Sequence, residues 1–129
     1  MSAAPGLDGE WLPVAADVSG QPLDVATLRV ARLLIGRGRY DIVDREAQRV
    51  DGGVLEVAAD VGAASGALDL VGTDGPAAGR RLRALSELDG DRLCLCYDLE
   101  SDVRPASMRA AEDKLLLRIT YARVRPRPD

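Results

Sequence analysis

The sequence predicts an all-β fold, an antiparallel up-and-down barrel of about eight strands with one short helix after the first strand. Three observations predict it. Short apolar segments punctuated by glycine and Asp-Gly recur about every ten residues, the spacing of an all-β meander, barrel or sandwich. Helical periodicity is nearly absent. Strands that follow one another in sequence order are more economically closed on themselves than left as an open sheet with two exposed edges.

Each element follows from local chemistry. Glu10 to Asp17 reads as the first strand, and Pro13 places it at an edge or a bulge because proline lacks the amide donor of a central ladder. GQPL at Gly20 to Leu23 reads as a turn. Asp24 is a helix N-cap for the following VATLRVARLLI, so a short helix is expected before a strand at Leu33 to Ile35. Arg39 to Val43, Gly53 to Ala59 and Ala67 to Gly72 follow as strands, separated by polar or small residues suited to turns. Arg81 to Leu88 and Asp91 to Tyr97 form the clearest hairpin, with Asp89-Gly90 as a type I′ turn. Lys114 to Val124 is the last and longest strand.

At 129 residues the chain fits one domain. The expected division is a flexible start over 1–8, a barrel over 9–124, and a loose tail over 125–129 whose two prolines cannot extend a ladder. The composition, 47% apolar and 29% charged, is globular.

Charge and composition exclude several functions. A formal charge of -4, from 21 acidic and 17 basic residues spread along the chain, offers no basic stripe for phosphates, so no nucleic-acid partner is expected. There is no histidine, which removes a Ser-His-Asp triad, a Cys-His dyad and a histidine general base within this chain. No metal site and no cofactor are expected. No stretch approaches the roughly 20 apolar residues of a membrane-spanning helix, and the start MSAAPGLDGEW lacks the features of a secretory signal, so a cytoplasmic protein is expected.

Gly9-Glu10-Trp11, the run LDLVGTDGPAAG at Leu68 to Gly79, LDGDRLCLCYD at Leu88 to Asp98, and the pair Arg104-Pro105 together carry a pattern. It resembles that of an uncharacterised lipocalin-like domain family first noticed in planctomycetes, over about residues 8 to 124. The resemblance implies a calycin-type barrel with no agreed activity. It further implies that Trp11 closes one end of the barrel and that an arginine of the last strand packs over it in a cation–π contact. Arg123 fits that role better than Arg118, because it shares a strand face with Leu117, Ile119 and Tyr121. The family usually carries an aromatic where this chain has Ser86, and often a phenylalanine near the position of Met108. With Ala84 on the face of Ser86, both changes reduce bulk and imply a roomier interior there.

Cys94 and Cys96 lie on one face of a strand, about 7 Å apart by the strand rise, too far for an unstrained disulfide. Two thiols without histidine are too few for structural zinc, so they are read as reduced packing residues. TDGPAAG lacks the lysine and spacing of a phosphate loop, and GRGR at Gly36 to Arg39 is a short turn. The candidate site is therefore the barrel interior. Tyr97, with Leu93 and Leu95 on its face, and Tyr121, with Leu117 and Ile119, are the favoured pair; Tyr40, Ala84, Ser86 and Met108 complete the expected lining.

The expected ligand is an apolar or amphipathic small molecule. If the pocket is catalytic, as a cofactor-independent cyclase or isomerase of natural-product biosynthesis, Tyr97 and Tyr121 would donate to a substrate carbonyl, with Glu87 or Asp69 as proton shuttle. The alternative is a filled barrel whose long Asp98 to Asp113 connection binds another protein. A monomer, or a homodimer through an exposed edge near Pro13, suits either reading.

Overall fold

Alternation of inward and outward side chains runs through the described strands and builds a single wall. The computed structural model describes residues 7–28, 30–59, 66–75, 78–100, 103–105 and 115–124, with the side chains of 57–59 excepted. The described residues form nine strands: β1 (Gly9–Val18), β2 (Gln21–Leu23), β3 (Arg32–Gly36), β4 (Arg39–Val43), β5 (Arg49–Ala59), β6 (Gly66–Asp74), β7 (Arg81–Asp89), β8 (Arg92–Asp98) and β9 (Leu116–Arg123). From β3 to β9 each strand pairs antiparallel with the next, and β1 pairs with both β3 and β9. Eight strands thus close into the expected barrel, which fits a lipocalin-like architecture.

The register fixes which side chains point inward. Trp11 stands opposite Leu33 and Arg123, Ile35 opposite Tyr40, Leu55 opposite Leu70, Ser86 opposite Leu95, and Tyr97 opposite Leu117. Leu33, Leu68, Leu93 and Ile119 are almost completely buried. Each such side chain stabilises the fold by about 1.5–3 kcal/mol relative to exposure.

Local expectations needed correction in four places. The helix after β1 is only a single 3-10 turn, Val25–Thr27, capped by Asp24 Oδ1 accepting from the Ala26 amide at 2.9 Å. A helix that short is marginal, and the chain instead sends Leu28 and Val30 to the barrel mouth. GQPL is partly strand, since β2 folds back on Ala16–Val18 of β1 with Pro22 at the free edge. The hairpin turn is displaced by one residue: Asp89 pairs with Arg92, and Gly90 alone takes positive φ (58°), the glycine-first pattern of a II′ turn. Leu7 is fully buried, so the barrel domain begins before Gly9. The tail 125–129 lies outside the described residues.

Pro13 sits beside the expected bulge, because the β1–β9 register shifts between Pro13 and Ala15. On the other side of β1, Gly9–Trp11 pair with β3 and Ala16–Val18 with β2. Between them, Leu12–Ala15 have no strand partner among the described residues on that side. The exposed edge near Pro13 is therefore a short gap where the partner strand is broken, and Leu12 and Val14 are exposed beside it.

Candidate ligand-binding cavity

The two ends of the barrel differ. At one end Trp11 is fully buried and its indole Nε1 donates to the Leu7 carbonyl at 2.9 Å. The Arg123 guanidinium lies 4.3 Å from the centre of the indole ring. It is held there by donating to Asp91 Oδ1 at 3.1 Å and to the Asp8 and Gly90 carbonyls. Gly9 fits the same arrangement: its φ is 145°, and a β-carbon there would lie 3.0 Å from the Arg123 guanidinium. Arg118, by contrast, points outward and pairs with Asp17 at 2.8 Å.

The opposite end holds a cavity of about 520 Å³. Its apolar wall includes Val30, Ile42, Leu70, Leu82, Leu117 and Ile119, and its polar groups include Tyr40, Tyr97, Asp51 and Asp98. Arg80, Arg81, Leu99 and Glu100 border it. Burial, reinforced by the charge of Asp51, raises the Tyr40 phenol. Burial pushes Tyr97 up to about 12, with Cys96 adding to it. Both phenols therefore stay protonated near neutral pH and can donate a hydrogen bond to a ligand, but cannot act as bases.

The expected site residues divide by place. Tyr40, Tyr97, Leu117 and Ile119 line the cavity. Tyr121 faces inward as expected but is nearer the plugged end, opposite Leu93 and Pro13, and does not line the cavity; burial raises its phenol. Leu93 and Leu95 are core. Ala84 and Ser86 are fully buried on the inward face of β7 and are not among the residues that line the cavity. The Ser86 hydroxyl finds no hydrogen-bond partner among the described residues. Met108 lies outside the described residues.

Asp69 and Glu87 do not reach the interior. Asp69 alternates with the inward Leu68 and Leu70, and Glu87 with the inward Ser86 and Leu88, so both face outward. Glu87 is exposed. Asp69 ion-pairs with Arg81 at 2.8 Å and Arg104 at 2.7 Å. Burial alone would raise its carboxyl, but the hydrogen bonds and charges of the two arginines outweigh burial and hold it below its ordinary value. A carboxylate held ionised on the outer wall cannot shuttle protons in the cavity. Arg104 also donates to the Leu68 and Ala84 carbonyls, which anchors Val103–Pro105 on the outside of the barrel.

A depressed carboxyl contributes stability above its unfolded value, near 3.9, that is lost as pH falls through the folded value. Asp69→Asn is expected to lose about 1–3 kcal/mol at pH 7 and to show a shallower fall in stability between pH 5 and pH 2, read by urea denaturation across that range. Equal acid sensitivity in the variant and the parent would refute the ion-pair account.

Cys94 and Cys96 are free thiols on the outer face of β8. Burial raises both, Cys96 to about 11. The Cys96 thiolate population is then about a hundredfold below that of an unperturbed thiol. Disulfide-exchange reagents at pH 7.5 should label the folded chain far more slowly than the urea-unfolded one, with Cys96 the last to react; equal rates would show the thiols to be activated.

Among the described residues no group of three or more histidine, cysteine, aspartate or glutamate side chains could hold a metal ion. None of their helices is long and apolar enough to cross a membrane. Sequence reasoning named Tyr40, Tyr97, Leu117 and Ile119 of the cavity and missed its buried carboxylates, Asp51 and Asp98, and much of its apolar wall, including Val30, Ile42, Leu70 and Leu82. No protein-family model, no curated protein and no solved structure matches this chain.

Proposed function

We propose that this protein binds an apolar or amphipathic small molecule in the open end of its barrel. One observation carries the reading: a cavity of about 520 Å³ whose mostly apolar wall is interrupted by two phenols and the buried carboxylates of Asp51 and Asp98. Binding pockets are built in this way, with a few placed polar groups fixing orientation within an apolar lining. The plugged end leaves the other end as the route of entry. We place it in the cytoplasm, where its two free thiols would stay reduced. The lipocalin-like resemblance of the sequence agrees with this reading.

A cyclase or isomerase role loses the proton shuttle expected from Glu87 or Asp69, so binding is the stronger reading. Any such chemistry would rest on Tyr40, Tyr97 and Asp51. The rival interaction module, with a filled barrel, is disfavoured by the cavity.

The test is native mass spectrometry of protein from its own host, with organic extraction, joined to titration with the neutral dye N-phenyl-1-naphthylamine. A reproducible small molecule, and dye binding that Leu82→Trp abolishes while the fold persists, are the expected results. An empty barrel with a partner protein co-purifying, and a dye indifferent to Leu82→Trp, would overturn the proposal.

A further inference from the structure

Hydrogen bonding in the cavity narrows the ligand class. The buried carboxylates there already have partners. Asp98 Oδ1 accepts from the Glu100 amide at 2.8 Å, and Asp51, which has a partner of its own, sets Oδ1 against the turn at Gly75. Neither asks the occupant for a donor. The phenols differ: among the described residues neither Tyr40, only 3% exposed, nor Tyr97 donates to any group. Their surroundings in the cavity include Ile42, Leu70, Leu117 and Ile119, whose side chains offer no acceptor. Burial raises both phenols, so each keeps its proton and remains a donor at neutral pH.

A hydrocarbon filling this space would strip water from two hydroxyls and return no acceptor, which is unfavourable. A carboxylate head would return one, but beside the charge of Asp51, which already acts on Tyr40, and with Asp98 and Glu100 adding the same sign. Arg81 is engaged on the outer wall by Glu56 at 2.6 Å and Asp69 at 2.8 Å, and Arg80 is exposed at the rim. A neutral acceptor avoids both costs, and Tyr97 is its better donor because the Asp51 charge acts on Tyr40. We propose that the barrel takes an uncharged apolar carbonyl compound, a ketone or ester whose oxygen accepts from Tyr97 while its carbon skeleton lies along Leu70, Leu117 and Ile119. The inference rests on the reading of the cavity as a small-molecule site and gives that site its ligand chemistry.

Fluorescence titration with two neutral dyes separates the two claims, because 6-propionyl-2-(dimethylamino)naphthalene carries a ketone oxygen and N-phenyl-1-naphthylamine does not. In Tyr97→Phe the ketone dye should lose about three- to tenfold in affinity, the effect of one neutral hydrogen bond. Its bound emission should also move to shorter wavelength as the bond to its carbonyl is lost, while the affinity of N-phenyl-1-naphthylamine stays the same. Tyr121→Phe, nearer the plugged end, should leave both dyes unaffected. On the parent protein 2-nonanone should displace the ketone dye more tightly than nonanoate does. Unchanged affinity of the ketone dye in Tyr97→Phe, equal losses for both dyes, or nonanoate binding better through Arg80 would overturn the carbonyl proposal and leave the cavity reading standing. If neither dye binds the parent protein, both fall. Should Tyr97→Phe fail to fold, the infrared carbonyl stretch of 2-nonanone bound to the parent decides: a frequency below that in hexane is expected, and the hexane value would overturn the hydrogen bond.

Discussion

Trp11→Ala lowers the stability of the barrel by about 3 to 5 kcal/mol, the usual cost of truncating a fully buried tryptophan. The indole is completely buried, spends its one donor on the Leu7 carbonyl, and carries the Arg123 guanidinium on its face. Removing it leaves a cavity at the plugged end and an arginine without its ring. Urea denaturation followed by circular dichroism should show the transition displaced to lower denaturant with the slope preserved, since the same surface is exposed on unfolding. Arg123→Met, which keeps much of the aliphatic bulk, should lose less, about 1 to 2 kcal/mol of cation–π and hydrogen-bond energy. Unchanged stability in Trp11→Ala would defeat the plug.

Gly53→Ala is expected to lose about 3 kcal/mol, at the upper end of overpacking effects, although it adds a single methyl group. The β5–β6 register slips between Gly52 and Gly53, and a β-carbon at Gly53 would lie 2.0 Å from the Val71 carbonyl oxygen. Backbone cannot rotate away as a side-chain tip can, so β5 and β6 must part. Tyr40 stands directly opposite Gly53 across β4 and β5, so the same change should weaken dye binding in the cavity. Gly36→Ala is the matched control, with nothing within 4 Å of its new methyl group and no positive φ to strain. Equal melting temperatures for the two variants would refute the steric account.

The fold was legible because alternation is a local signal that survives wherever one face is buried. Leu93, Leu95 and Tyr97 announce an inward face without reference to any other strand, and so do Leu117, Ile119 and Tyr121. Turn register was less legible. The run Asp89-Gly90-Asp91 permits a turn on either Asp-Gly or Gly-Asp, and the pairing of Asp89 with Arg92 selects the second, which leaves Asp91 to hold Arg123. The helix was over-read because the cap at Asp24 is real while the helix behind it is not.

The site was legible in part. Tyr40 and Tyr97 follow from alternation, and the same alternation, applied strictly, places Glu87 and Asp69 outside once Ser86 and Leu68 are inside. A carboxylate's chemistry suggests proton transfer, but its parity along the strand decides which side of the wall it occupies. Asp51 was hidden for another reason. It ends a polar run before Gly52-Gly53 that reads as a turn, whereas β5 extends back to Arg49 and carries Asp51 on its inward face opposite Ile42. The smallness of Ala84 and Ser86 does not by itself locate the cavity, which is lined from other inward positions.

The pairing of β1 with β9 sets the order in which this molecule can be made. Asp17 and Arg118 meet across 101 positions of sequence, and every other wall contact joins strands that are near neighbours along the chain. Hairpins from β3 to β8 can therefore assemble as synthesis proceeds, whereas the last seam waits for β9. Until it closes, both rims of the growing sheet present open backbone to any other chain nearby, and long-range closure of this kind is the slow step of β folding. Misassembly should concentrate in that interval, between release of β8 and arrival of β9, rather than in the finished barrel.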